Sequence, residues 1–210
     1  MNPRTLLLVL VVLVSSTAAW GQTAQKADAN EYKDLAAKLK AGDTNIDYLA
    51  LRMAFSRSDS SSPFGLAQDG RAALAAISRK EYKDALKLAE KALKASYVDI
   101  DAHVAASLAY KGLGDASKEA FHKAVYLGLI KSILKSGDGK TPETAYVVIS
   151  THEEYTILNA LGLKFTGQAL NHIGGHAFDV MSIADPKTDF TGRVYFNIDI
   201  VWKKEADMFK

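Results

Sequence analysis

The sequence predicts an α+β protein: antiparallel helical hairpins in the N-terminal and central chain, then a small, mostly antiparallel β-sheet with one short helix. Three observations carry that prediction. From Gly65 to about Leu134 apolar residues recur almost entirely at helical spacing. After Gly139 the period shortens to alternating segments punctuated by Gly174-Gly175 and Asp185-Pro186. The chain has no cysteine, so its apolar core must hold it together without disulfides.

Residues 1–21 read as a secretory signal peptide. Met1-Asn2-Pro3-Arg4 is a short positive region, Leu6 to Val14 is an unbroken apolar run, and Ala19 and Gly21 are the small residues of a cleavage site before Gln22. Cleavage after Ala19 is the alternative. The apolar run falls short of the ~20 residues of a membrane span, and no later run is longer. The expected destination is the periplasm or the exterior, without a lipid-attachment cysteine and with no membrane span after cleavage. The formal charge of the whole chain is only +2, which argues against nucleic acid as a partner.

Residues 22–30 are small and polar and read as a flexible leader. Residues 31–135 form the helical region. Tyr32, Leu35 and Leu39 mark its first helix, with Gly42 as the stop. Asp43 or Thr44 is the expected cap of a second helix carrying Ile46, Leu49 and Met53. The run from Ser56 to Pro63 reads as a loop, because its hydroxyls compete with helical backbone bonding. Two hairpins follow, with Ala85 in the first and Ala120 about 35 residues on, near the tetratricopeptide period. Small residues such as Ala73, Ala76, Ala105 and Ala106 stand where paired helices would approach, and Gly112 and Gly114 mark a turn. Two units fall below the about three that a free-standing solenoid needs, so the hairpins are expected to pack onto something else.

Residues 136–210 form the sheet region, expected to pack on the helices as one unit. Ala145 to Ile149 reads as a buried strand. Thr151 and Glu154 match a capping box for a helix ending at Gly162. The Gly174-Gly175 hairpin pairs Ile173 with His176 and puts Phe165 and Ile173 on a face with Phe178 and Val180. A last strand alternates from Val194 through Phe196 and Ile198 to Ile200 and Trp202.

No catalytic constellation assembles from these residues. Gly139-Lys140-Thr141 imitates the end of a phosphate loop, but Leu134 stands where the first glycine belongs, and the helix lies before the motif instead of after it. Asp138 lacks the alternating oxygen ligands of a calcium loop. His172 and His176, with Asp179 nearby, resemble a metal cluster in one dimension, yet the hairpin sends them to opposite faces. His152-Glu153-Glu154-Tyr155 lacks the second histidine of a zinc-protease helix, and no serine sits in a nucleophile elbow. No cofactor or metal is expected. The aromatics Tyr82, Tyr97, Tyr110, Phe121 and Tyr126 stand mostly at core spacing, with a peptide groove as the alternative.

Gly42-Asp43-Thr44, Ile46-Asp47-Tyr48, Leu51-Arg52, the stretch "SGDGKTPETAYVVISTHEEY", Leu161-Gly162 and "VYFNIDIVW" together resemble the bacterial secreted proteins grouped as domain of unknown function 4919. The resemblance covers nearly all of the chain after the signal. It implies an exported architecture of helical hairpins before a small sheet, and carries over no activity or catalytic residue. The function expected is that of an envelope interaction module, not an enzyme, that binds a protein or peptide. The alternatives are a small hydrolase or ligand-binding enzyme with its site at the helix–sheet junction, where Asp138, Lys140, Glu154 and Tyr155 would gather, and a structural or stress-related envelope protein.

Overall fold

The computed structural model describes residues 30–58 and 67–208. The expected signal peptide, nearly all of the leader and most of the Ser56–Pro63 loop lie outside the described residues.

Helix α1 covers residues 30–40 and buries Ala36 and Leu39. It stops at Gly42 (φ 95°), and the Asp43 amide reaches back to the Lys38 carbonyl at 3.0 Å. Helix α2 (Tyr48–Arg57) is capped by Asp47, whose carboxylate accepts from the Ala50 amide, and not by Asp43 or Thr44. Asp43 instead closes a local turn on the Asn45 amide. Leu51, Arg52, Ala54 and Phe55 face inward, while Leu49, expected on the apolar face, is exposed and Ile46 lies before the helix.

Helices α3 (Ala67–Ser78) and α4 (Tyr82–Ala95) form one hairpin; α5 (Ile100–Leu113) and α6 (Ala116–Leu134) form the next. Helix α5 packs against both α3 and α4, and α2 packs on α6. Small buried residues make that closeness available: Ala73, Ala89, Ala102 and Ala105 are all fully covered. Gly112 belongs to the last turn of α5, where a Cβ would stand 2.5 Å from the Tyr82 ring; Gly114 (φ 81°) is the stop. Tyr97 is buried in the core, and Tyr82, Tyr110, Phe121 and Tyr126 are half-buried against it, as their core spacing predicts.

A single 3₁₀ turn (Pro142–Thr144) leads to β1 (Tyr146–Val147) and α7 (Thr151–Leu161), followed by β2 (Lys164–Ile173), β3 (His176–Ala184), β4 (Thr191–Asn197) and α8 (Asp199–Met208). The sheet order is β1-β4-β3-β2, with β1 parallel to β4 and the other pairs antiparallel. Gly174 and Gly175, both at positive φ, close the β2–β3 hairpin with Ile173 opposite His176, the expected register.

Two expectations for the sheet are corrected. A bulge between Phe165 and Gly167 leaves Thr166 unpaired, so Phe165 lies opposite Ile183 on the other face from Phe178 and Val180. The last strand stops at Asn197, whose side-chain oxygen accepts from the Asp199 amide, and the chain turns into α8. Ile198, Ile200 and Trp202 therefore lie beyond the strand, and the region holds a second helix besides α7. Its alternation is compatible with either element over so short a run. Phe196, Met181, Ile157, Leu158 and Val201 join the helical residues Leu129 and Ile133 in one core, so helices and sheet share a single interior.

Candidate functional site

The turn that imitates a phosphate loop has no amides to offer. The Asp138 and Gly139 amides both donate to the Thr144 carbonyl, at 3.0 and 2.8 Å. The Lys140 amide donates to Asp138 Oδ1 and the Thr141 amide to Thr144 Oγ1. Four successive donors that an anion would need are consumed inside the turn. Its exposed carboxylate, Asp138, is held below the usual range by the Thr144 hydroxyl, then by the Lys140 amide. Lys140 is exposed and rests 3.5 Å from Asp138.

Helix α7 begins one residue earlier in its cap than the sequence suggested. Ser150, not Thr151, accepts from the Glu153 amide, and Glu153 reaches back to the Ile149 amide at 2.9 Å. Glu153 also takes a bidentate contact from Arg52: Nε to Oε1 at 2.9 Å and Nη2 to Oε2 at 2.6 Å. Two further donors of Arg52 go to Ser132 Oγ and the Val147 carbonyl. This fully buried guanidinium thus fixes α2, α6, β1 and α7 to one another.

The one-residue shift releases Glu154 from capping and turns it inward, where it is fully buried over Asp179 of β3. As two carboxylates the groups would have no donor between them, and both Glu154 oxygens would lack a partner among the described residues. Burial, then the Asp179 charge, pushes Glu154 up to about 9. Burial thus favours its protonated form, in which Glu154 can donate to the Asp179 carboxylate beside it. Gln168 Nε2 of β2 donates to Asp179 Oδ2 at 2.6 Å, and the Tyr155 hydroxyl donates to Gln168 Oε1 at 3.3 Å. The chain Glu154–Asp179–Gln168–Tyr155 ties α7 to the β2–β3 hairpin. Of the four residues expected to gather at a junction site, Glu154 and Tyr155 meet in this network, while Asp138 and Lys140 keep their bonds within their own turn.

Above that network lies the outer strand. Nearly every residue of β2 is exposed, with Phe165, Leu170 and Ile173 the large apolar ones. Gln168, Leu170 and His172 share the face that carries Asp179 and Met181. Tyr155 stacks edge-on to Phe165 at 5.5 Å, and Trp202 of α8 stands edge-on to His172 at 4.9 Å. Both of these ring-bearing neighbours are themselves exposed. Leu170 sits between the two aromatic rims. A two-residue turn makes Ile173 and His176 a hydrogen-bonded pair, so by alternation the amides and carbonyls of Gln168, Leu170 and His172 point away from β3. Those groups form a free edge among the described residues.

The histidines divide as expected for the hairpin pair: His172 packs on Trp202, and His176 on the opposite face bonds Asp199 at 2.6 Å. Two further clusters escaped the sequence. His152 Nε2 lies 2.7 Å from Asp101 Oδ2. Burial opposes the His152 cation, but the Asp101 contact, with Asp99 behind it, raises its pKa overall. Burial also raises Asp99, to about 6. His103 and His122 share one proton between their Nδ1 atoms at 3.0 Å, and burial lowers them to about 3 and about 4. No group of three or more histidine, aspartate and glutamate side chains among the described residues is placed to hold a metal ion. A hollow of about 540 Å³ separates α2 from α8, between Met53, Arg57, Ile200 and Lys203, and none of the four junction residues lines it. No described helix is long and apolar enough to cross a membrane.

Comparison with curated proteins and with solved structures finds no match. A family model described as a domain of unknown function, DUF4919, matches residues 24–207, nearly the whole chain after the first residues, and the protein therefore belongs to that family.

Proposed function

We propose that this chain is an exported interaction protein of the bacterial envelope whose docking element is the free edge of β2, taking an extended segment as an added strand. The observation that carries this reading is the ten-residue outer strand, exposed along its length and flanked by Tyr155, Phe165 and Trp202. The regular part of the strand, Gly167–Ile173, has no proline and no charged residue; the edge-blunting features, Lys164 and the bulge between Phe165 and Gly167, are confined to its start. Beneath it, the Glu154–Asp179–Gln168–Tyr155 network holds the hairpin against α7, which keeps the edge preformed. The packing of α5 on both α3 and α4 supports reading α3 to α6 as two tetratricopeptide-like hairpins acting as scaffold. Export rests on the signal-like residues 1–21.

Hydrogen exchange tests the reading directly. Proteins retained from envelope extract on the immobilised full chain are identified and recombined with it in pure form. Strand addition protects the amides of Gln168, Leu170 and His172. Protection confined to the helices, or retention unchanged when Leu170 is replaced by Lys, refutes it.

A further inference from the structure

We infer that the strand added to β2 is the β2 of a second copy, so that two chains join their sheets about a two-fold axis at Leu170. The inference rests on the docking edge proposed above and names its occupant.

Two identical antiparallel strands can meet only in registers that place same-face residues opposite each other. The bulge at Phe165/Gly167 limits the regular part of β2 to Gly167–Ile173. A seven-residue segment has one central residue, and here it is Leu170, whose amide and carbonyl point outward. The register then sets Leu170 against Leu170 of the partner copy, Gln168 against the partner's His172, Ala169 against the partner's Asn171, and Gly167 against the partner's Ile173. The three outward-facing positions, Gln168, Leu170 and His172, pair only among themselves. They close about six main-chain hydrogen bonds, two for each bonded pair.

Three features of the edge favour a second copy over another extended peptide. First, the paired segment carries no Lys, Arg, Asp or Glu, so antiparallel self-pairing sets no like charges opposite each other. Second, Tyr155 leans over Gln168 and Trp202 over His172, each leaving a large apolar surface exposed. Because the register pairs Gln168 with His172 of the partner copy, it brings the Tyr155 rim of one chain to the Trp202 rim of the other, twice. Third, the bulge ends the regular ladder beside Lys164, so the two lysines fall outside the paired segment. The small residue Gly167 leaves room for the exposed Ile173 opposite it.

Sedimentation equilibrium of the full chain tests this. The wild type is expected to show twice the chain mass, falling to the single mass on dilution. Leu170→Lys and Leu170→Asp each place two like charges at the axis and are expected to be monomers. Mixing the two variants is expected to restore the double mass, a result that misfolded variants cannot give. A wild type that stays at single mass up to its solubility limit overturns the inference, as does a dimer that both variants leave intact, or a mixture that fails to pair although each variant unfolds cooperatively. A synthetic peptide spanning residues 167–173 separates this failure from that of the docking edge. If the chain is monomeric but such a peptide, or a strand from another protein, protects the Leu170 amide, the dimer is refuted and strand addition stands. If nothing protects it, both are refuted.

Discussion

Arg52 and Glu153 meet at 2.9 and 2.6 Å across a sequence separation of 101 residues, and both are buried. Removing one member strands the other charge in the interior. Arg52→Met is expected to lower unfolding stability by about 3–5 kcal/mol, with Glu153→Gln nearer the lower end because the amide still bonds. The double variant Arg52→Met, Glu153→Leu is expected to recover a large part of that loss. Urea unfolding of the three variants checks this; additive losses would show that the two residues are not coupled.

Glu154 makes stability depend on pH. Its folded pKa of about 9 lies above the ordinary value of 4.5, so its contribution is fully present below about 4.5 and is lost progressively as pH rises to about 9. Glu154→Gln supplies a permanent donor to Asp179 in place of the proton. Relative to wild type, the variant is expected to gain stability steadily between about pH 5 and pH 9. An offset that stays constant over that range, read from urea midpoints, would remove Glu154 as the titrating group.

The histidines are expected to separate in an NMR titration. His152 titrates above the ordinary 6.5, and Asp101→Asn brings it down. Its stabilisation is present below 6.5 and is lost as pH rises through the higher folded value. His103 and His122 act in the opposite sense: their contribution is present above 6.5 and lost as pH falls through about 4 and about 3. If His103 titrates near the ordinary 6.5, its burial is not maintained in solution.

Gly137 is indispensable to the imitation phosphate loop for a packing reason. A Cβ there would stand 2.1 Å from the Thr144 carbonyl oxygen, which is backbone and cannot swing aside. Gly137→Ala is expected to cost about 1–3 kcal/mol, whereas Lys140→Met stays within about 0.5 kcal/mol. Titration calorimetry with inorganic phosphate or nucleotide is expected to show no heat of binding; measurable binding that Lys140→Met abolishes would reverse this reading of the turn.

The sequence exposed those parts of the fold whose cause is local. The Gly174-Gly175 turn fixed the hairpin register, and Gly42, Gly114 and Gly162 marked helix ends through their left-handed backbone. Errors arose where two local readings were equally good and packing chose. Ser150 and Thr151 are both competent caps, and the Ser150 cap is the one that places Glu153 on Arg52 and on the Ile149 amide. Ile198, Ile200 and Trp202 fit a strand period, but Asn197 caps the Asp199 amide and a helix follows. The bulge at Thr166 has one weak signal, the isolated Gly167 inside the strand, and it moved Phe165 to the other face. The candidate site was legible only in part. Glu154 and Tyr155 were visible as residues, but their partners Asp179 and Gln168 come from strands whose approach no single-chain pattern records. A lone arginine among Leu51, Ala54 and Phe55 was the one readable sign of the buried ion pair.

That ion pair also ties an early part of the chain to a late one. Arg52 is made about a hundred residues before the carboxylate that completes it. Helices α3 to α6 have near neighbours in sequence and can pair as they emerge, but α2 cannot settle on α6 without burying an unpaired cation. Without α7 the Arg52 guanidinium would lack the carboxylate that takes two of its donors, so a chain cut before α7 is expected to leave α2 unprotected in hydrogen exchange. The guanidinium is thus a tie between the halves: the helical half is complete only with a carboxylate that the sheet half supplies.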